Sequence, residues 1–115
     1  MSRRFVSVEL GGKERQLRFD CNAVADLEDH FGKGIASVMS EEQVGFRTIR
    51  ALYWAGLKWR NHRLTVEQVG EWLQDELEAG SSFESLLNPI IEAMKAGGLL
   101  GTAEEEVRKE DEEKN

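Results

Sequence analysis

Apolar residues alternate with polar ones near the start of the chain, then recur every three or four positions to about residue 94. Within residues 5–19, Val6, Val8 and Leu10 precede Gly11-Gly12, and Arg15, Leu17 and Phe19 come after it, which is the pattern of a β-hairpin. Parity selects the turn. A two-residue Gly11-Gly12 loop sets Val6 opposite Leu17 and Arg4 opposite Phe19, whereas a three-residue loop would put the apolar sets on opposite faces. An isolated hairpin is marginal in water, so its apolar face is expected to pack on the helical remainder of the chain.

From Asp20 the period becomes helical. Asp20 can cap a helix over residues 20–31, with Ala23, Val24, Leu27 and Phe31 as its stripe and Gly32 and Gly34 as its stop. A short turn carries Ile35, Val38 and Met39. Ser40-Glu41-Glu42-Gln43 then matches a capping box and predicts a helix running to about Lys58. Ile49, Leu52, Tyr53 and Leu57 form its stripe, and Ala51, Trp54 and Ala55 extend it almost all round, so this helix is expected at the centre with Trp54 in the core. Thr65, Gln68 and the Leu64/Val69 pair mark the next helix, whose stripe is Val66, Val69, Leu73 and Leu77 and whose stop is Gly80. Phe83, Leu86, Leu87, Ile90, Ile91 and Met94 continue the helical spacing through Pro89. Two arrangements fit: Ser81 caps one helix that Pro89 kinks, or Asn88 caps a second helix with Pro89 in its first position.

The chain has 115 residues, with 22 acidic and 15 basic side chains and a net charge of −7. That length holds one domain, expected over residues 1–102, and a charge-rich tail, residues 103–115, expected to be mobile or a frayed helix. The expected class is α+β but mostly α: a hairpin on a small bundle of four or five helices. Residues 1–20 carry +2, residues 21–103 carry −5 and residues 104–115 carry −4. Nucleic acid is therefore not the expected partner, since affinity for it comes from basic side chains. A lone Cys21 permits no internal disulfide. No apolar run reaches the roughly 20 residues of a membrane helix, and the opening residues lead straight into the strand pattern, so neither a membrane partner nor a secretory leader is expected.

Candidate chemistry is thin. Cys21 starts a helix, where a thiolate would gain from the dipole, but a small apolar residue under the hairpin is the simpler reading. Asp26 and His30 share a helix face without a third metal ligand in view. Gly32-Lys33-Gly34 comes after a helix instead of a strand and lacks the rest of a phosphate-cradling loop. Glu71, Asp75, Glu76 and Glu78 lie opposite an apolar stripe and read as its wet face. Trp59 and Trp72 stand at the margins of their stripes, where a large aromatic either caps the core or anchors a partner.

The order of motifs resembles a known family. The Phe19-Asp20-Cys21-Asn22-Ala23 run with Leu27-Glu28, then Leu52-Tyr53-Trp54-Ala55-Gly56-Leu57, then Leu64-Thr65-Val66-Glu67-Gln68-Val69-Gly70, is similar to the tail assembly chaperones of long-tailed phages and of related gene transfer agents, over roughly residues 5–80. The resemblance implies a small non-catalytic protein without a cofactor, cytoplasmic in the bacterial host and absent from the finished virion. Such proteins coat the tape measure protein, keep it soluble and help recruit tail tube subunits. A helical client with apolar stripes calls for an apolar groove with a polar rim. The expected groove lies between the central helix and the helix of residues 65–79, with Trp59 and Trp72 at its edge and Phe83, Leu87 and Ile91 completing it. Open hairpin edges also permit self-association. The rival expectation is an acidic regulator that mimics DNA through Asp26/Glu28/Asp29 and Glu71/Asp75/Glu76/Glu78.

Overall fold

The computed structural model describes residues 5–39 and 45–98. Its elements run β1 (Val6–Leu10), β2 (Lys13–Leu17), α1 (Cys21–Phe31), α2 (Ile35–Met39), α3 (Phe46–Leu57), α4 (Val66–Glu78) and α5 (Phe83–Ala96). The fold is the expected α+β arrangement, an antiparallel hairpin on five helices, one of them a single short turn. The charged tail of residues 103–115 and the Arg4 partner of Phe19 lie outside the described residues.

The hairpin has the register that parity requires, Val6 opposite Leu17 and Leu10 opposite Lys13. Gly11 and Gly12 both take positive φ, 63° and 75°. A two-residue turn of this hand matches the twist of its strands and is open to glycine at little cost. Val6, Val8, Leu10 and Leu17 turn towards the helices, and Leu10 and Leu17 are fully buried.

Asp20 caps α1 through its Oδ1, which accepts the Ala23 N–H at 2.9 Å. Gly32 ends the helix at φ 70°. The Glu28 carboxylate then accepts the Ile35 N–H at 2.8 Å, so an α1 side chain caps α2. Helix α3 starts later than the Ser40–Gln43 capping box predicts. Gly45 is extended and serves as an N-cap without a side-chain bond, so the helix begins at Phe46; the Ser40–Gln43 capping box lies outside the described residues. Helix α3 is central as expected, packing against α1, α4, α5 and β2. Ile49, Ala51, Leu52, Tyr53, Ala55 and Leu57 are all buried.

Thr65 and Gln68 form the anticipated capping box of α4. The link to α5 explains why Ser82, and not Ser81, starts the last helix. Ser81 N–H donates to the Glu76 carbonyl at 2.9 Å and Gly80 N–H to the Leu77 carbonyl at 3.1 Å, with Gly80 at φ 106°. This pair of bonds closes the C-terminus of α4 and uses Ser81. Ser82 is then free to cap α5, exchanging bonds with Ser85.

Pro89 lies inside one helix, so no second helix starts at Asn88. Its missing N–H leaves the Ser85 carbonyl without the usual helical donor. One residue on, the Leu86 carbonyl accepts the hydroxyl of Tyr53 at 2.5 Å. Tyr53 is 0% exposed, so its hydroxyl needs a partner inside the protein, and the backbone beside the proline supplies it.

The N-terminal ends of α3 and α5 meet where the Phe46 and Phe83 rings pack edge to face, 5.2 Å between centroids. Their other ends meet at Phe19, since a Cβ built on Gly56 would lie 3.0 Å from the Phe19 ring and one on Gly97 only 2.0 Å from the Phe19 carbonyl oxygen. The two helices therefore run in the same direction with the fully buried Phe19 wedged between their C-terminal ends. Arg18 N–H donates to the Gly56 carbonyl at 2.8 Å and ties the end of β2 to α3.

Candidate functional site

Both tryptophans expected at a groove edge are turned onto the hairpin. Trp72 lies against the turn so closely that a Cβ on Gly11 would meet its indole at 2.7 Å. The Arg15 guanidinium covers the ring, 3.7 Å from its centroid, while Arg15 Nε–H donates to the Leu10 carbonyl at 2.6 Å. Burial lowers the Arg15 pKa from its ordinary value. Arg15 thus occupies an inward strand position without exposing a bare charge, because its stem and plane cover an aromatic face.

Trp59 holds the other flank. Its indole N–H donates to the Gln16 carbonyl at 2.9 Å, Phe5 packs on it at 5.9 Å between centroids, and Arg18 and Arg60 lie over its ring. In a hairpin of this register the backbone groups of Gln16 and Arg18 point away from β1. Trp59 and the Gly56 carbonyl therefore satisfy the outer edge of β2 as a third strand would. Trp54, expected in the core, is only half-buried: its N–H donates to the Leu64 carbonyl at 3.0 Å, and Lys58 and His30 lie on its ring. A core position would have left that N–H to find a buried acceptor, whereas the connector supplies one at the rim.

Phe83, Leu87 and Ile91 are half-buried and lie four residues apart along one flank of α5. Phe83 and Leu87 pack against the core from outside, next to the buried row Leu86, Ile90, Ala93 and Met94. At the head of this flank Phe46 is 49% exposed, and it is the large apolar side chain left open among the described residues. Arg47 and Arg50 line a shallow hollow of about 240 Å³ beside it. The structure therefore sets Phe83 against Phe46 at the head of the α5 flank, while Trp59 and Trp72 are turned onto the hairpin. Nothing in the sequence singled out Phe46, because the pattern placed it mid-helix; its exposure comes from α3 beginning there.

Two further hollows flank the domain. One of about 270 Å³ is lined by Lys13, Glu14, Arg15, Gln16, Leu57, Arg60, Asn61 and Leu64, between β2 and the α3–α4 connector. The other, of about 170 Å³, includes Asp20, Asp26, Lys58, Trp59 and His62. Cys21 is exposed at the start of α1, not under the hairpin, because the cap turns its side chain outward, and it lines neither hollow. Asp26 pairs with Lys58 at 3.3 Å across α1 and α3, instead of with His30, whose ring rests on Phe31 and Trp54. Among the described residues no three His, Cys, Asp or Glu side chains gather as a metal site. No described helix is long and apolar enough to cross a membrane.

Of the two acidic groups, Asp26 and Glu28 are committed to Lys58 and to the α2 cap. Glu71, Asp75 and Glu78 stay on the exposed face of α4, with Glu78 accepting from Gln74 at 2.7 Å. Compared with known proteins, the chain matches no family model, no curated protein and no solved structure.

Proposed function

We propose that the protein is a non-catalytic tail assembly chaperone of a long-tailed phage, which binds the tape measure protein, keeps it soluble and helps recruit tail tube subunits. The ordered motifs of residues 5–80 support this reading, and the observation that carries the client surface is the open apolar flank of Phe46, Phe83, Leu87 and Ile91. Side chains at i, i+4 and i+8 along α5 make a ridge that an amphipathic client helix can pack along, with the exposed aromatic at its head as anchor. The acidic outer faces keep the complex soluble while that flank is covered. The DNA-mimic reading has less support, because two of its carboxylates are already bonded within the fold.

The test is co-expression with the tape measure protein encoded beside it. The full chain should retain the client on purification. Phe46→Ser and Ile91→Asp should release it while circular dichroism and the unfolding midpoint stay close to those of the parent. Full retention by both variants would remove the α5 flank from the interface, and failure of the parent to retain the client would overturn the chaperone reading itself.

A further inference from the structure

The described residues hold ten Lys and Arg side chains, and six of them fall in two short stretches, Lys13, Arg15 and Arg18 on or just after β2 and Lys58, Arg60 and Arg63 in the connector. Lys13 and Arg15 from the first stretch and Arg60 from the second line the 270 Å³ hollow. Arg18 is paired with Asp20 at 3.6 Å and Lys58 with Asp26 at 3.3 Å. In the lining itself Lys13, Arg15 and Arg60 stand against Glu14, with Arg63 further along the same connector, a local excess of positive charge on a protein whose net charge is −7. Lys13, Arg60 and Arg63 are exposed, and the floor is polar: Gln16 accepts from Arg60 at 3.2 Å and Asn61 lines the wall. A hollow of this kind suits an extended carboxylate-rich peptide, which guanidinium groups bind by charge-assisted hydrogen bonds.

The chain carries such a peptide. Residues 104–115 hold seven acidic and three basic side chains, with acids at 104–106 and 110–113. The preceding helix ends at Ala96, and its C-cap Gly97 abuts the Phe19 carbonyl, so the chain leaves the described fold close to the end of β2. From residue 98 to residue 112 is 14 residues, a reach of up to roughly 50 Å at about 3.4 Å per residue. That is ample for a hollow whose lining on β2 ends at Gln16, three residues before Phe19.

We propose that the basic hollow between β2 and the α3–α4 connector is an acidic-peptide site, occupied within the same molecule by residues 104–115. The inference does not depend on the chaperone reading, since its carriers are charge placement and the exit point of the chain.

The full chain tests it, with Cys21→Ser and Glu112→Cys allowing one nitroxide label on the acidic segment. At low salt, paramagnetic broadening should concentrate on the amides of residues 13–18 and 60–63. It should fade in 0.5 M sodium chloride, where the screening length falls to roughly 4 Å, and in the Arg60→Glu/Arg63→Glu variant. Broadening spread evenly over the domain, or unchanged by both salt and the charge reversal, would overturn the proposal. A mixture of isotope-labelled, spin-free chains with spin-labelled, isotope-free chains should show no broadening; its appearance there would assign the occupant to a second copy instead. Shifts of the same amides on adding a single-stranded oligonucleotide, without broadening from the label, would assign the surface to nucleic acid.

Discussion

Trp59 and Trp72, at the margins of their stripes, and Phe83, Leu87 and Ile91, within the stripe of α5, are all large apolar residues that the sequence offers equally to the core or to a partner. The fold uses them differently. Both tryptophans meet a sheet that has two strands among the described residues, and each supplies what a further strand would, Trp59 a donor for the edge of β2 and Trp72 an apolar wall for the turn. The α5 row meets solvent along its outer side, and Phe46 at its head is left open. A margin aromatic is thus available to a partner only when the protein's own unfinished elements do not claim it first.

The sharpest way to break this comparison is to remove the tryptophan from the turn. Trp72→Ala should cost about 2–3 kcal/mol in urea unfolding, below the range for a fully buried indole because the ring is half-buried. A loss under about 0.5 kcal/mol would return Trp72 to the partner-binding class. Gly11→Ala should cost about 1–2 kcal/mol, from the positive φ of 63° and the indole 2.7 Å from the new Cβ. In a Trp72→Ala background part of that cost should vanish, and strict additivity would show that the two do not touch.

Tyr53 reports on the core beneath both regions. Burial first, and then the nearby Glu76 carboxylate, raise its pKa well above the ordinary value of 10.0. The unfolded chain releases that proton near pH 10 while the folded protein keeps it, so stability is full below pH 10 and falls as pH rises beyond it, by up to about 1.4 kcal/mol per unit. Tyr53→Phe should lose about 1 kcal/mol at pH 7, because the Leu86 carbonyl loses a donor, and should show a shallower alkaline decline. Equal alkaline slopes for the two proteins would mean that Tyr53 ionises normally in the fold. The smallest effect belongs to the other flank: Ile91→Ser should change stability by under about 1 kcal/mol, and a larger loss would place Ile91 in the core with Ile90.

Much of the fold was legible because its signals are local. The hairpin register comes from the parity of Val6, Leu17 and the two glycines, and the caps at Asp20 and Thr65 act within three residues of themselves. Where two local signals compete, the outcome lies in the chain on either side of them. Ser81 and Ser82 are equally good caps by type, and the closure of α4 decides between them. Pro89 is admissible inside α5 or at the start of another helix, and the continuous buried row on α5 keeps one helix. The candidate surface was legible only in part: Phe83, Leu87 and Ile91 could be named from their spacing, but the fate of Trp59 and Trp72 depends on residues 43 and 61 positions away, Gln16 and Gly11.

By itself the sequence determined the hairpin and its register, the order of the helices and most of the faces they bury, and that acidic charge lies on the outer faces of the helices. Those properties arise from backbone conformation, hydrophobic period and capping, each of which acts over a few residues. Tertiary structure alone decided which aromatic stays open, which carboxylates are spent on caps and ion pairs, and that basic side chains from β2 and the connector share one hollow. Such pairings depend on side chains far apart in sequence meeting at a few ångströms, and no local pattern carries that information.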